Sequence, residues 1–210
     1  FGWAGTGVEL PNAATVWQAP AGARLTPQTP VALSWANSTG QTFTLTFAID
    51  ADYMISVTQT VANGGAAPFR MREIAQLNRT DKTASIDSWN VHTGPMGSFS
   101  ETVQFGPNYD EVTDAGVQAN PAKANWLGFT DIYWMSMLIP DAKSGSAASS
   151  DFRALGKGIY LANVFYADAN VAPGQQQNRT TRLFAGAKES AVLDRYEDSG
   201  IAQFGLSIDW

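Results

Sequence analysis

The 210-residue sequence predicts a mainly β fold, a large antiparallel β-sandwich with one C-terminal α-helix packed on it. Apolar and polar residues alternate with a period of two along much of the chain, which is typical of strands that bury one face. Short runs of Asn, Gly, Pro and Ser separate these segments, as turns do between antiparallel strands. Because each sheet must bury its apolar face, strands of this kind indicate two sheets packed together.

The clearest alternation lies in two segments joined by a short turn. Residues 42–50 and 53–61 each alternate apolar residues with threonine or serine, and Asp50-Ala51-Asp52 between them predicts a hairpin. The small polar stretch 144–150 predicts a loop. Further strands are predicted at residues 31–35, 69–77, 85–91, 99–105, 126–130, 132–139, 158–168, 179–183 and 204–208.

One segment, at about residues 184–199, predicts a helix. Ala187, Ala191 and Tyr196 recur at roughly helical spacing, and Gly200 follows where a helix C′ glycine belongs. Acidic residues crowd the C-terminal end of this segment and oppose the helix dipole, so we expect docking on the sandwich to hold it. No repeat or linker divides the chain, which predicts a single domain over residues 1–210.

Composition excludes several classes of function. With 13 basic and 19 acidic residues the net charge is -6, so neither nucleic acid nor direct adhesion to anionic lipid is expected. The chain has no cysteine, which rules out disulfides and thiolate chemistry. The longest apolar stretch, 126–140, is shorter than the ~18 residues that span a bilayer. The sequence begins without Met, and we expect a domain excised from a longer protein.

The residues predict no catalytic, cofactor-binding or metal site. His92 is the only histidine, and a structural hydrogen bond at a strand end, before a Gly94-Pro95 turn, is favoured over a role as base or ligand. No Gly-x-Ser-x-Gly elbow or phosphate-binding glycine loop is present. The acidic clusters at 50–52 and 110–114 favour solvated turn residues over a calcium or glycosidase site.

The seven tryptophans allow two interpretations. Tryptophan can present a platform to sugar rings, or it can fill a sandwich core. Most of them lie inside predicted strands, which favours the core, and a carbohydrate-binding sandwich stays as the alternative.

Beyond composition, specific segments resemble a known family. Residues 126–135 (WLGFTDIYWM), running on to Leu138-Ile139-Pro140, resemble the signature strand pair of the YidC periplasmic domain family. Residues 183–189 resemble its C-terminal helix in alphaproteobacterial members, and 204–210 its exit strand. Weaker matches at 25–31, 52–54 and 92–97 extend the resemblance over most of the chain, with a departure at Thr93, where an acid is expected in many relatives.

The resemblance implies a large super-sandwich similar in fold to galactose mutarotase. It also implies a periplasmic domain of an inner-membrane insertase, with no catalytic residue and no cofactor of its own. The implied partners are Sec translocon accessory subunits such as SecDF and nascent membrane proteins, with membrane contact only through helices outside this chain. On the exposed face of the predicted helix, Lys188, Asp194 and Arg195 are the expected partner surface.

A mutarotase-like enzyme is the second alternative. Fold kinship alone does not carry function from one protein to another. Mutarotases of this fold use more than one histidine together with an acid, whereas this chain has only His92. The resemblance therefore favours a domain that is not an enzyme.

Overall fold

The structure, a computed structural model, describes residues 1–85, 91–120 and 122–208. These residues form fourteen strands and two α-helices, α1 (Tyr109–Ala115) and α2 (Ser190–Asp198), with short 3-10 turns at Asp81–Thr83 and Gly205–Ser207. The strands are β1 (Gly2–Thr6), β2 (Val31–Ala36), β3 (Gln41–Ile49), β4 (Met54–Asn63), β5 (Phe69–Thr80), β6 (Gly94–Phe99), β7 (Thr102–Phe105), β8 (Val117–Asn120), β9 (Ala124–Thr130), β10 (Trp134–Pro140), β11 (Ala147–Gly156), β12 (Ile159–Tyr166), β13 (Ala169–Val171) and β14 (Gln176–Ala187).

The strands lie in two sheets. The smaller sheet has the order β1-β5-β12-β11-β8, with β13 also pairing with β5. The larger sheet has the order β2-β3-β4-β14-β10-β9-β6-β7. This arrangement confirms the predicted antiparallel β-sandwich.

The chain divides into two compact units, of which the first comprises Phe1–Ala75, Asp141–Ser146 and Phe165–Arg182. The predicted hairpin lies here, and β3 pairs with β4 from Gln41↔Asn63 to Ile49↔Ile55. Its inward residues pack against β1, β5 and β13 of the smaller sheet, so the alternation read from the sequence is what builds this core. The core residues are Trp3, Phe43, Leu45, Val57, Val61, Phe69, Met71 and Val171.

The second unit comprises Gln76–Pro140, Ala147–Val164 and Leu183–Trp210. Phe129 of β9 meets Phe152 of β11 edge to face, with ring centroids 6.1 Å apart. A second aromatic cluster forms where α2 docks, around the fully buried Phe204. Its ring lies 5.7 Å from Trp126, 5.5 Å from Phe184 and 6.1 Å from Tyr196, each in an edge-on arrangement.

Helix α2 is shorter than predicted, because its expected first turn belongs to a strand. Burial still alternates across Phe184, Ala185 and Gly186, and β14 runs on to Ala187. The predicted C-terminus is confirmed: the N–H of Gly200 (φ 106°) donates to the Glu197 carbonyl and the N–H of Ile201 to the Tyr196 carbonyl. This pair of bonds is a Schellman motif, which satisfies the last carbonyls of the helix.

Two predicted elements are wrong for tertiary reasons. The expected loop at 144–150 contains the start of β11, which pairs with β8 so that Ser150 lies opposite Asn120. Pairing with a neighbouring strand outweighs the weak β propensity of these small residues. The expected strand at 204–208 is a 3-10 turn instead, because Phe204 is buried in the aromatic cluster and the Gly205 N–H donates to Glu197 Oε2 at 2.7 Å.

Other boundaries differ in detail. Gly94 and Pro95 begin β6 rather than forming a turn, and the expected strand 99–105 is the end of β6 plus β7, which turn at Ser100 (φ 55°). The predicted strand 85–91 lies mostly outside the described residues. Helix α1 was not predicted; it begins at a capping box in which Asn108 and Glu111 each accept the other's backbone N–H.

Candidate interaction site

The turn between β9 and β10 is built around Asp131. Its Oδ2 accepts from Arg79 Nη2 at 2.8 Å and from the Ser85 N–H at 3.2 Å, and its Oδ1 accepts from the Ile132 N–H at 2.8 Å. Partial burial raises the pKa of Asp131, but the hydrogen bonds and the Arg79 charge outweigh it and hold that pKa below its ordinary value. The carboxylate is therefore a charged anchor for the turn.

Lys188 ties this turn to the segment that leads into α2. Its Nζ donates to Thr130 Oγ1 and to the Asp131 carbonyl, both at 3.1 Å. Its backbone N–H donates to the Tyr133 carbonyl at 2.9 Å. Since the ammonium is half-buried and engaged by the domain itself, Lys188 positions the turn.

The turn presents two adjacent aromatic side chains to solvent. Tyr133 is 74% exposed and Trp134 is 62% exposed. Tyrosine and tryptophan are enriched at protein interfaces relative to the rest of the surface. We call this pair the aromatic turn.

The three residues predicted as a partner surface are only partly brought together. Asp194 and Arg195 are exposed and adjacent on α2, and Arg195 Nη1 donates to the Ala191 carbonyl at 2.9 Å. Lys188 precedes the helix and is not on its exposed face. Asp194 lies beside the 3-10 turn, since a Cβ built on Gly205 would come within 2.7 Å of its Oδ1. Whether these residues bind a partner stays a prediction.

A depression of about 460 Å³ lies beside the Asp131 anchor. It combines the Arg79–Asp131 ion pair with hydroxyls and apolar side chains, and all its lining residues belong to the second unit. The lining residues are Arg79, Thr83, Ser85, Phe129, Thr130, Asp131, Trp134, Met135, Ser136, Ala185 and Gly186. The chemistry suits an amphipathic group, such as an aromatic side chain or a sugar ring.

Two of the other polar candidates make local structural hydrogen bonds, while the acids of residues 110–114 lie in α1 rather than in a turn. His92 Nε2 is hydrogen-bonded to the Pro95 carbonyl at 2.8 Å. Asp50 Oδ1 accepts the backbone N–H groups of Asp52 and Met54, which closes the β3–β4 hairpin. Within residues 1–85, 91–120 and 122–208, no three His, Cys, Asp or Glu side chains converge as a metal site.

The tryptophan prediction holds in part. Trp3 and Trp126 are buried core residues, whereas Trp134 is exposed, and Trp89 and Trp210 lie outside the described residues. The aromatic turn is not predicted from the sequence, because the predicted strand 132–139 includes both aromatic residues. In the structure β10 begins only at Trp134, so Tyr133 lies in the turn before it. Two consecutive aromatic residues, of which an alternating strand can bury only one, were the available signal.

Solved structures define the class of fold. The chain matches a structure from Escherichia coli K12, provisionally assigned as an aldose 1-epimerase, with a TM-score of 0.52 and 10% identity over 81% of this chain and 68% of that one. A similarly assigned Klebsiella pneumoniae structure matches with a TM-score of 0.54 and 10% identity over 84% of this chain and 54% of that one. The class is therefore a galactose-mutarotase-like β-sandwich, and at such low identity the likeness concerns the fold alone.

Sequence comparison gives the family. The model of the YidC periplasmic domain matches residues 1–210, and the chain belongs to this family. It is 36% identical over 214 residues to the membrane protein insertase YidC of Zymomonas mobilis, and 40% identical over 230 residues to that of Ruegeria sp. (strain TM1040). Each alignment covers 100% of this chain but only 36% of the relative's length. None of the helices formed by the described residues is long and apolar enough to cross a membrane.

Proposed function

We propose that this chain is a single, non-catalytic interaction domain of a YidC-type membrane protein insertase, held in the periplasm by its parent protein. Family membership over residues 1–210 supports the assignment, as do relatives named membrane protein insertases. The chain spans about a third of those relatives, so insertion itself is proposed for the parent protein. The proposed partners are nascent membrane proteins and Sec accessory subunits such as SecDF.

The aromatic turn is the observation that carries the interaction role. Tyr and Trp supply large contact areas at low entropic cost and dominate the energetics of protein interfaces. The Asp131–Arg79 pair and the Lys188 bonds fix the backbone beneath them, so the two side chains are presented on a stable support. Asp194 and Arg195, on the helix that follows Lys188, are proposed to form the polar rim of the same interface.

The polar residues support a non-catalytic domain. General acid–base chemistry at a sugar carbon needs at least one free acid–base group placed beside the substrate. The single histidine is bonded to a backbone carbonyl, and Asp131 is held by a cation and two N–H groups. These arrangements serve local structure.

Substitution in the full-length parent insertase tests the proposal. Tyr133→Ser combined with Trp134→Ser should reduce recovery of SecDF with the insertase and slow insertion of a dependent client in cells depleted of the wild-type copy. Leu155→Ser is the matched control, since Leu155 is 61% exposed in the same unit. If the double variant, at wild-type protein levels, recovers SecDF and inserts the client normally, the aromatic turn has no role in this interaction.

The enzyme alternative is tested separately. Purified domain should not raise the rate of aldose mutarotation above that of buffer. A rate above buffer that is lost in His92→Ala would contradict the non-catalytic assignment. Saturable binding to a glycan array, abolished by Trp134→Ala, would instead support the carbohydrate-binding alternative, because Trp134 lines the depression beside Asp131.

A further inference from the structure

The first unit contains a buried acid that lacks a partner. Glu73 of β5 is 0% exposed, and neither of its carboxyl oxygens accepts a hydrogen bond from another described residue. Buried carboxyl groups in proteins are almost always hydrogen-bonded or paired, so this arrangement calls for an explanation.

Two other buried polar atoms of the first unit also lack a hydrogen-bond partner among the described residues. Trp3 is the register partner of Glu73 on the adjacent strand β1, and its buried Nε1 has no acceptor among the described residues. Gln59 of β4 is also fully buried; its Nε2 donates to the Gly2 carbonyl at 2.6 Å, while its Oε1 has no donor. Gly2 and Trp3 are neighbours on β1, so Gln59 bonds to one residue at the start of that strand and Glu73 lies opposite the next.

The charged surroundings do not neutralise Glu73. The charged or titratable side chains that act on it are Arg179 of β14 and Tyr166 of β12, while β1 and β4 present Trp3 and Gln59, which do not titrate. Arg179 Nη1 donates to the carbonyls of Ser144 at 2.7 Å and Asn178 at 3.1 Å, and its buried Nε has no acceptor among the described residues. The Tyr166 hydroxyl is bonded to Thr181 Oγ1 at 2.7 Å.

We propose that Trp3, Gln59 and Glu73 enclose a buried hydration site, in which ordered water bridges the three groups and a protonated Glu73 donates to it. A water molecule can accept from the Trp3 N–H and donate to Gln59 Oε1, and a protonated Glu73 supplies one donor and one acceptor. Each unmet atom then has a partner, and no bare carboxylate is left in the core.

The direction of the Glu73 pKa shift agrees with this geometry. Burial raises the pKa of Glu73 by more than its own backbone N–H and the Arg179 guanidinium lower it. An acid whose pKa is raised by folding stabilises the folded state fully below its unfolded pKa, and this contribution is lost as pH rises through the folded pKa. The contribution of Glu73 to stability should therefore grow as pH falls towards 4.5, the ordinary pKa of Glu.

Carboxyl-carbon NMR on this chain tests the proton. The Glu73 signal should titrate above that of Glu in an unstructured peptide. Glu73→Gln, which keeps shape and hydrogen bonding, should remove the proton that the wild-type chain takes up on folding above pH 4.5. Titration of Glu73 at or below the ordinary Glu value would overturn the proposal. If Glu73→Gln does not fold, proton uptake on folding of the wild-type chain, measured above pH 4.5, tests the same point: no uptake there would overturn the proposal.

A crystal structure of this chain tests the water. The expected result is ordered water within hydrogen-bond distance of Trp3 Nε1 and the Glu73 carboxyl, with lower occupancy in Trp3→Phe, which keeps an aromatic ring and removes the N–H. A dry cluster in which Glu73 bonds directly to Gln59 would overturn the hydration site. Neither result bears on the aromatic turn, which lies in the other unit.

Discussion

Replacing Phe204 with alanine tests how the C-terminal segment is held on the sandwich. The side chain is fully buried, and its ring makes edge-on contacts with Trp126, Phe184 and Tyr196. Trp126 also donates its Nε1–H to the Ala202 carbonyl at 3.0 Å, so the same rings fix the chain just before Phe204. Removing the ring leaves a cavity bounded by three large aromatic side chains, which cannot collapse without losing their own contacts.

The expected loss follows from burial and from the ring contacts. Truncating a buried Phe to Ala costs about 3–5 kcal/mol, and each well-oriented aromatic pair contributes about 0.5–1.5 kcal/mol beyond area burial. With three such pairs at one ring, we expect a loss of about 4–5 kcal/mol, at the upper end of that range. For a domain of this size, a loss of that order lowers Tm by roughly 8–20 °C.

Urea denaturation followed by tryptophan fluorescence measures this loss, because Trp126 lies in the same cluster. Leu206→Ala is the matched control: Leu206 lies two residues further on but is 56% exposed, so its change should stay within about 0.5 kcal/mol. A loss below about 2 kcal/mol for Phe204→Ala, or equal losses for the two variants, would refute the claim that this ring anchors the segment.

Three further predictions concern single sites. Gly200→Ala should cost about 1 kcal/mol in thermal denaturation, because the Schellman motif needs a positive φ that a side chain disfavours. Asp131→Asn should lower the free energy of unfolding at pH 7 by about 1.5–3 kcal/mol. The lowered pKa of Asp131 means that its contribution is present above the unfolded value and is lost as pH falls through the folded one, so the two proteins should converge in stability on acid titration. Gly128→Ala should prevent soluble folding, judged by expression and circular dichroism, because a Cβ there would collide with the Ser136 carbonyl on β10.

Much of the fold could be predicted from local pattern. The β3–β4 hairpin was readable because Phe43, Val57 and Val61 fall on one face, opposite polar residues, and the register preserves that alternation. The C-terminus of α2 was readable because Gly200 marks a specific backbone geometry. Signals of this kind depend only on residues close together in the sequence, so they can be recognised without knowing which elements pack against them.

Features that depend on distant neighbours could not be predicted in this way. Strand β11 begins in small polar residues, and only its pairing with β8 makes it a strand. Lys188 resembled a solvated helix charge, yet its ammonium is bonded to Thr130 and Asp131. Glu73 resembled an ordinary polar residue of an alternating strand, but its face is turned into the core.

A photocrosslinking amino acid at position 134 of the full-length parent insertase, introduced in living cells, tests the interaction role of the aromatic turn directly. We expect it to capture a Sec accessory subunit or a nascent membrane protein, with little capture from the equally exposed position 155 in the same unit. Capture at position 155 but not at 134, or at neither site while the insertase remains active, would contradict an interaction role for the aromatic turn.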